Sequence, residues 1–284
     1  MRYTVLLFLL LGLTSSTFSQ DRQKALADFN EMKLKAAALE RAVLAPEESD
    51  KVAAAQRSAM AVRIMPRETY DNSFSSIRGG GAYYGIYYRM HDYSYGCELG
   101  WERGRLSVCT SDFAAMTDLG EISLDQVTTN NQSVIDLGSY KNSSERQSTR
   151  TGELIGQTSV VGYLNPVVGH TYLIRSIRTG YYDILAAFTV SRQDTDNSLI
   201  LLSKILQQND PPRRAGDKVA DSDEQIRVRA QSWLRDERFK GIVVNVSNRV
   251  VTLTGSVDGQ FVAYAIQLSN GLGASKTINL LEPR

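Results

Sequence analysis

The scarcest reactive side chains in this 284-residue chain are two cysteines and two histidines. Cys97 and Cys109 flank Glu102-Arg103-Gly104-Arg105, and a hairpin turning about Arg103 sets the two cysteines directly opposite each other. Non-hydrogen-bonded pairs in antiparallel strands hold their Cα atoms about 4.5 Å apart, within reach of a disulfide. A free, buried pair of thiols is the alternative. A cysteine–histidine nucleophile built with His91 needs an activated thiolate, which a bridge removes. His170 stands in Val168-Gly169-His170-Thr171, a turn context, and no HExxH spacing is present for a zinc site. Asp194-Thr195-Asp196-Asn197 offers oxygen ligands to calcium, but it lacks the glycine and terminal glutamate of an EF-hand and reads as a hairpin turn. The triplet Gly79 to Gly81 lacks the lysine that would grip a phosphate. With no catalytic residue, cofactor or metal site indicated, the chain reads as non-enzymatic.

A tyrosine run is the remaining cluster with binding chemistry. Tyr83, Tyr84, Tyr87 and Tyr88, followed by Tyr93 and Tyr95, would place alternate rings on one face of a strand, and aromatic faces suit sugars or apolar partners. This gives one functional reading, an extracellular carbohydrate-binding or adhesive protein. Packing of the same rings into a core is the competing reading.

The elements that must position these residues change character along the chain. Residues 20–65 are rich in Ala, Glu, Lys, Arg and Leu, and Leu26, Phe29, Met32, Ala36, Leu39 and Val43 recur at helical spacing. The first helix is expected to end near Leu44, before Pro46, and a weaker one to run from Glu47 toward Ile64. The apolar seam resembles a coiled coil for about three heptads. Self-association through these helices and packing on the following domain both fit. Residues 66–206 shift to strand patterns, with strands expected at Thr171 to Ile177, Ile184 to Ser191 and Leu199 to Ile205, and an exposed loop at Lys141 to Thr151. An all-β sandwich or barrel is the expected class for this central domain. Residues 207–221, with paired prolines and few large apolar side chains, read as a linker that lets the terminal domain move.

Residues 222–284 read as a small α+β domain of order α-β-β-α-β. A capping box, Ser222-Asp223-Glu224-Gln225, opens a helix with Ile226, Ala230, Trp233 and Leu234 on one face. Two strands follow, joined through Asn248, then a helix with Val262, Ala263 and Ile266, and a last strand from Lys276 to Leu281. Asp223, Ile226, Trp233-Leu234, the run Val244 to Val257, Ala263 to Leu268, Gly273 and Ile278-Asn279 together resemble a BON domain. In this resemblance Gly255 makes the sharp exit from its strand, Arg249 stands where the family has a turn glycine, and Ala274 where a valine follows Gly273. The resemblance implies a bacterial periplasmic, outer-membrane or secreted protein with a role in phospholipid binding and envelope maintenance. Arg227, Arg229, Arg235, Arg238 and Lys240 around the first helix form the candidate surface for lipid or an envelope protein partner, partly offset by Asp223, Glu224, Asp236 and Glu237.

Charge and targeting narrow the setting. A formal net charge of +1 argues against a nucleic-acid binder, which needs a basic stripe. Arg2 followed by the apolar run Val5 to Leu13, with Thr17 and Ser19 placed for cleavage before Gln20, reads as a signal peptide over residues 1–19. No lipoprotein cysteine follows it, and no later segment is long and apolar enough to span a bilayer. The expected location is the periplasm or the extracellular space.

Overall fold

The computed structural model describes residues 3–74, 80–91, 97–109, 112–140, 152–212 and 221–283. Gly79, Tyr93, Tyr95, the loop expected at 141–151 and most of the expected linker lie outside these. The chain divides into two compact units, Met1–Ala45 and Pro46–Arg284. The first is one helix, α1 (Tyr3–Leu44), which stops short of Pro46 because the residue before a proline is pushed out of the helical region. Its apolar residues Leu26, Phe29, Met32 and Leu39 are exposed. Among the described residues, no helix is long and apolar enough to cross a membrane.

The second unit begins with α2 (Glu48–Ala55) and β1 (Met60–Ile64). The single helix expected over 47–64 therefore divides. Ser58 takes a left-handed φ of 49°, and Val62 and Ile64 then bury on one side of an extended strand. The chain continues through α3 (Arg67–Phe74), β2 (Tyr83–Tyr84), β3 (Leu99–Glu102), β4 (Arg105–Val108), β5 (Phe113–Asp118), α4 (Gln132–Ser139), β6 (Glu153–Ile155), β7 (Thr158–Val160) and β8 (Tyr163–Leu164). Three long strands follow, β9 (Thr171–Arg178), β10 (Tyr182–Gln193) and β11 (Leu199–Asn209). The last elements are α5 (Asp223–Trp233), β12 (Ile242–Ser247), β13 (Val250–Val257), α6 (Gly259–Asn270) and β14 (Lys276–Pro283). The protein is thus mixed α+β: an N-terminal helix, several antiparallel sheets and a C-terminal α/β region.

The central scaffold is an antiparallel sheet of order β1-β11-β10-β9-β5. Both of its faces are buried, which is why β10 reads as a nearly unbroken apolar run. Ile184, Ala186, Phe188 and Val190 face Leu99, Trp101 and Leu106 of a smaller sheet, β2-β3-β4-β8. Leu185 and Ala187 face Val134 and Leu137 of α4, Ala54 of α2, and Ile155 and Val160 of the β6–β7 hairpin. The all-β description is corrected accordingly, because the second apolar face of the sheet is covered by helices as well as by a hairpin. Arg175 lies on that covered side. Its guanidinium donates to the carbonyls of Leu137 and Gly138, at the C-terminal end of α4, and to the Asp183 carboxylate at 2.8 Å. Strand β11 also runs three residues into the expected linker, since β10 supplies partners as far as Asp183 opposite Asn209.

In the C-terminal region β12 and β13 pair antiparallel, β13 and β14 parallel, and α6 makes the crossover between the last two. Ser222 and Gln225 form the reciprocal capping bonds that open α5. The hairpin turn is Asn248-Arg249, both at positive φ (52° and 63°). The Asp223 carboxylate accepts both of their amides, at 3.0 and 2.6 Å. Gly255 does not end its strand. It lies inside β13 at φ +91°, where a Cβ would meet the Gly241 carbonyl oxygen at 2.1 Å.

Candidate functional site

Cys97 and Cys109 form a disulfide with Cα atoms 5.3 Å apart. They do not sit directly opposite each other. The turn is the two-residue Arg103-Gly104, at φ 52° and 69°, with Glu102 opposite Arg105. That register brings Cys109 level with Glu98, whose carbonyl accepts the Cys109 amide at 3.1 Å. The bridge therefore closes diagonally, at the end of the β3–β4 ladder.

The four described tyrosines are also corrected. Tyr83, Tyr84, Tyr87 and Tyr88 are 1–5% exposed, so they form no open ligand face. Only Tyr83 and Tyr84 are in a strand. Tyr87 and Tyr88 lie in a tight turn, Ile86–Arg89, closed by paired hydrogen bonds between Gly85 and Met90. The turn is folded inward against the start of β10 and against β14, where the Tyr87 and Tyr182 rings lie 4.7 Å apart and Tyr88 meets Tyr182 edge-on.

A buried carboxyl stands among these rings. Glu98, adjacent to the disulfide, is fully buried. Desolvation pushes its carboxyl up to about 7, and Tyr182 and the Tyr87 amide offset this only in part. His91, whose Nε2 lies 2.8 Å from the Arg63 carbonyl, is pushed by desolvation down to about 4. At neutral pH the imidazole is uncharged, which fits a packing role. The second histidine, His170, faces Asp118 at 3.0 Å near the surface. Asp194 and Asp196 are held by arginines: Arg192 donates to Asp194 at 2.6 Å and Arg63 to Asp196 at 2.7 Å. These bonds fix the β10–β11 turn.

The five basic residues singled out at the C-terminus do not act as one surface. Arg227 donates to the Val246 carbonyl at 2.8 Å and stands beside Asp223 and Glu224. Arg229 pairs with Asp221 and donates to the Leu272 carbonyl. Both are committed to holding α5 against its neighbours. Arg235, Arg238 and Lys240 instead share the connection between α5 and β12. Arg235 is exposed and has no partner among the described residues, and Lys240 is exposed at 4.0 Å from Glu237.

Arg238 chelates Asp236, which holds that carboxyl down at about 2. Its guanidinium also lies over the rings of Tyr264, Phe239 and Phe261, 5.2 to 5.9 Å from their centres. Trp233 packs edge-on to Phe239, and its indole N–H is buried without a partner among the described residues. Trp233, Phe261 and Tyr264 are all half-buried. One end of the C-terminal region thus sets Arg238 over a partly open aromatic cluster, with the exposed Arg235 and Lys240 on the same connection. The sequence shows the basic residues but not this cluster, because Phe261 and Tyr264 come from α6, more than twenty residues on. A separate groove of about 420 Å³ runs beside Trp101, lined by Pro66, Thr69, Asn165 and Asn197. The Trp101 indole there donates inward to the Asn197 carbonyl.

No family model, curated protein or solved structure matches this chain.

Proposed function

We propose that this chain is an exported, non-enzymatic bacterial envelope protein whose C-terminal BON-like region contacts anionic phospholipid. One observation carries the reading: the α5–β12 connection, where the Arg238 guanidinium lies over the half-buried rings of Phe261 and Tyr264 and the exposed Arg235 and Lys240 stand on the same short segment. Amphipathic rings favour the headgroup level of a bilayer, and basic side chains there are attracted to anionic lipid by about 1 kcal/mol each. The helix–strand–strand–helix–strand order of residues 223–283 supports the BON-like assignment. The disulfide supports export, since such bonds persist in oxidising compartments. The signal reading would remove residues 1–19 and leave α1 to begin at Gln20. The exposed stripe of Leu26, Phe29, Met32 and Leu39 would then be free to pair with a second copy.

The test is co-sedimentation of the chain from Gln20 onward with phosphatidylglycerol and with phosphatidylcholine vesicles, at low and high salt. Binding is expected to phosphatidylglycerol alone, to weaken in high salt, and to be lost in the doubly reversed variant Arg235→Glu/Lys240→Glu. Absence of binding at low salt overturns the lipid reading and leaves a protein contact in the envelope.

A further inference from the structure

A second site lies at the β1–β11 edge of the central sheet, and its case does not rest on the lipid reading. Strand β11 is longer than its neighbour β1. Their pairing ends at Met60 opposite Ser203, and β11 continues from Lys204 to Asn209 with β10 alone beside it. Along this bare edge β11 carries a bulge at Leu206, where Leu185 pairs with Gln207 but Ala186 with Ile205. Bulges collect where a strand edge is re-aimed for a purpose. Strand β14 and the turn Ile86–Arg89 close the space beyond the end of β1 and leave a cleft of about 290 Å³.

The lining of this cleft is one-sided in charge. Arg89 and Lys204 both border it, and among the described residues no acidic side chain does and neither cation has a hydrogen-bond or ion-pair partner. The Nε of Arg89 is buried and unbonded, a costly position for a charged donor. The backbone of Arg89 is held at φ 55°, a left-handed conformation that costs any residue carrying a Cβ. The walls add Met60, Ile86 and Leu280, and Gln208 lies at the rim.

We propose that this cleft binds a small amphiphilic anion: a phosphate or carboxylate group between Arg89 and Lys204, carrying a short apolar tail against Met60, Ile86 and Leu280. The anion would supply a counter-charge to the Arg89 guanidinium and the Lys204 ammonium, and the tail would cover the apolar wall beside them.

Arg89→Gly is the informative variant. Glycine accepts the positive φ without strain, so the guanidinium is removed while the turn is relaxed. Titration calorimetry on the whole chain should use butyl phosphate, butyrate, inorganic phosphate and butanol as probes. Saturable binding of butyl phosphate or butyrate is expected, at least about tenfold tighter than butanol or inorganic phosphate. A loss of about tenfold or more is expected in Arg89→Gly, the size of one charge-assisted hydrogen bond, and a smaller loss in Lys204→Gln. Preference for butyl phosphate over butyrate would assign a phosphate ester, and the reverse a carboxylate. The proposal is overturned if neither amphiphilic anion binds at millimolar concentration. Undiminished affinity in a folded Arg89→Gly, or inorganic phosphate binding as tightly as butyl phosphate, overturns it equally.

Discussion

Glu98 and His91 should give this protein an unusual dependence of stability on pH. Glu98 is an acid whose folded-state value is raised, from 4.5 to about 7. The native state therefore holds its proton more tightly than the unfolded chain does. The stability this confers is complete below about pH 4.5 and is lost as pH rises through about 7, by about 3 kcal/mol over that interval. His91 is a base whose value is lowered, from 6.5 to about 4. Its contribution is complete above about pH 6.5 and is lost as pH falls toward 4, again by about 3 kcal/mol. Between about pH 4.5 and 6.5 the two slopes oppose each other, so these groups together leave the wild-type curve nearly flat there.

Replacing Glu98 by glutamine removes one slope and uncovers the other. The amide is nearly isosteric and still accepts the Tyr87 amide hydrogen, so the packing around the disulfide is preserved. Urea unfolding of both proteins at several pH values isolates the difference, because His91 and every other titrating group are common to both. Relative to wild type, Glu98→Gln should gain about 2 kcal/mol between pH 5.5 and pH 8. Its own stability should also rise with pH from 4.5 to 6.5, where wild type is level. Parallel profiles for the two proteins would refute the account, since they would mean that Glu98 is solvated or charged in the native protein.

Arg249→Gly should stabilise the protein by about 1 kcal/mol in thermal or urea unfolding, because Arg249 occupies a left-handed turn position at φ 63° that glycine adopts freely. Gly255→Ala should cost more than about 3 kcal/mol or prevent folding, since its Cβ would meet the Gly241 carbonyl oxygen, a backbone atom that cannot swing aside. Arg175→Ala should cost about 3–5 kcal/mol by the same measurement, since it leaves the buried Asp183 carboxyl without its counter-charge and strips the carbonyls of Leu137 and Gly138 of their donor.

The legible parts of the chain were those where one local pattern decides one local structure. The capping box at Ser222, the helix end before Pro46 and the apolar runs of β9, β10 and β11 depend on residues a few positions apart, and the elements lie where those residues place them. Elsewhere distant cover decides the structure. The segment at Met60 has enough apolar residues for a helix, but β11 offers it an edge and Ser58 breaks the helix first. Alternating tyrosines predict two faces of a strand, yet a second sheet lies over them and the chain turns after Tyr84. Gly255 looks like punctuation and is instead a site of close approach to Gly241. Nothing near Glu98 in the sequence marks it as buried except its neighbours Cys97 and Leu99. The anion cleft is drawn from four separate segments, around Met60, Arg89, Lys204 and Leu280, and no spacing rule joins them.

The turn Ile86–Arg89 connects these observations physically. The Tyr87 hydroxyl donates to the Thr277 carbonyl on β14 at 2.8 Å, and the Asn279 side-chain amide donates back to the Tyr87 carbonyl at 2.9 Å. Gln208, at the bare end of β11, donates to the same Thr277 carbonyl at 2.7 Å. These bonds occupy polar groups on the open edge of β14, which would otherwise invite strand pairing with another chain. They also tie the C-terminal region to the central sheet, and the buried apolar clusters of the two are continuous. Freedom of the terminal region to move, expected from the composition of residues 207–221, is therefore opposed by three side-chain bonds and a shared core. The same turn places Tyr87 against the Glu98 carboxyl on its inner side and Arg89 in the cleft on its outer side. The Tyr87 amide donates to the Glu98 carboxyl at 3.3 Å, only two residues from Arg89, so one short turn carries contacts to the buried acid, to β14 and to the cleft.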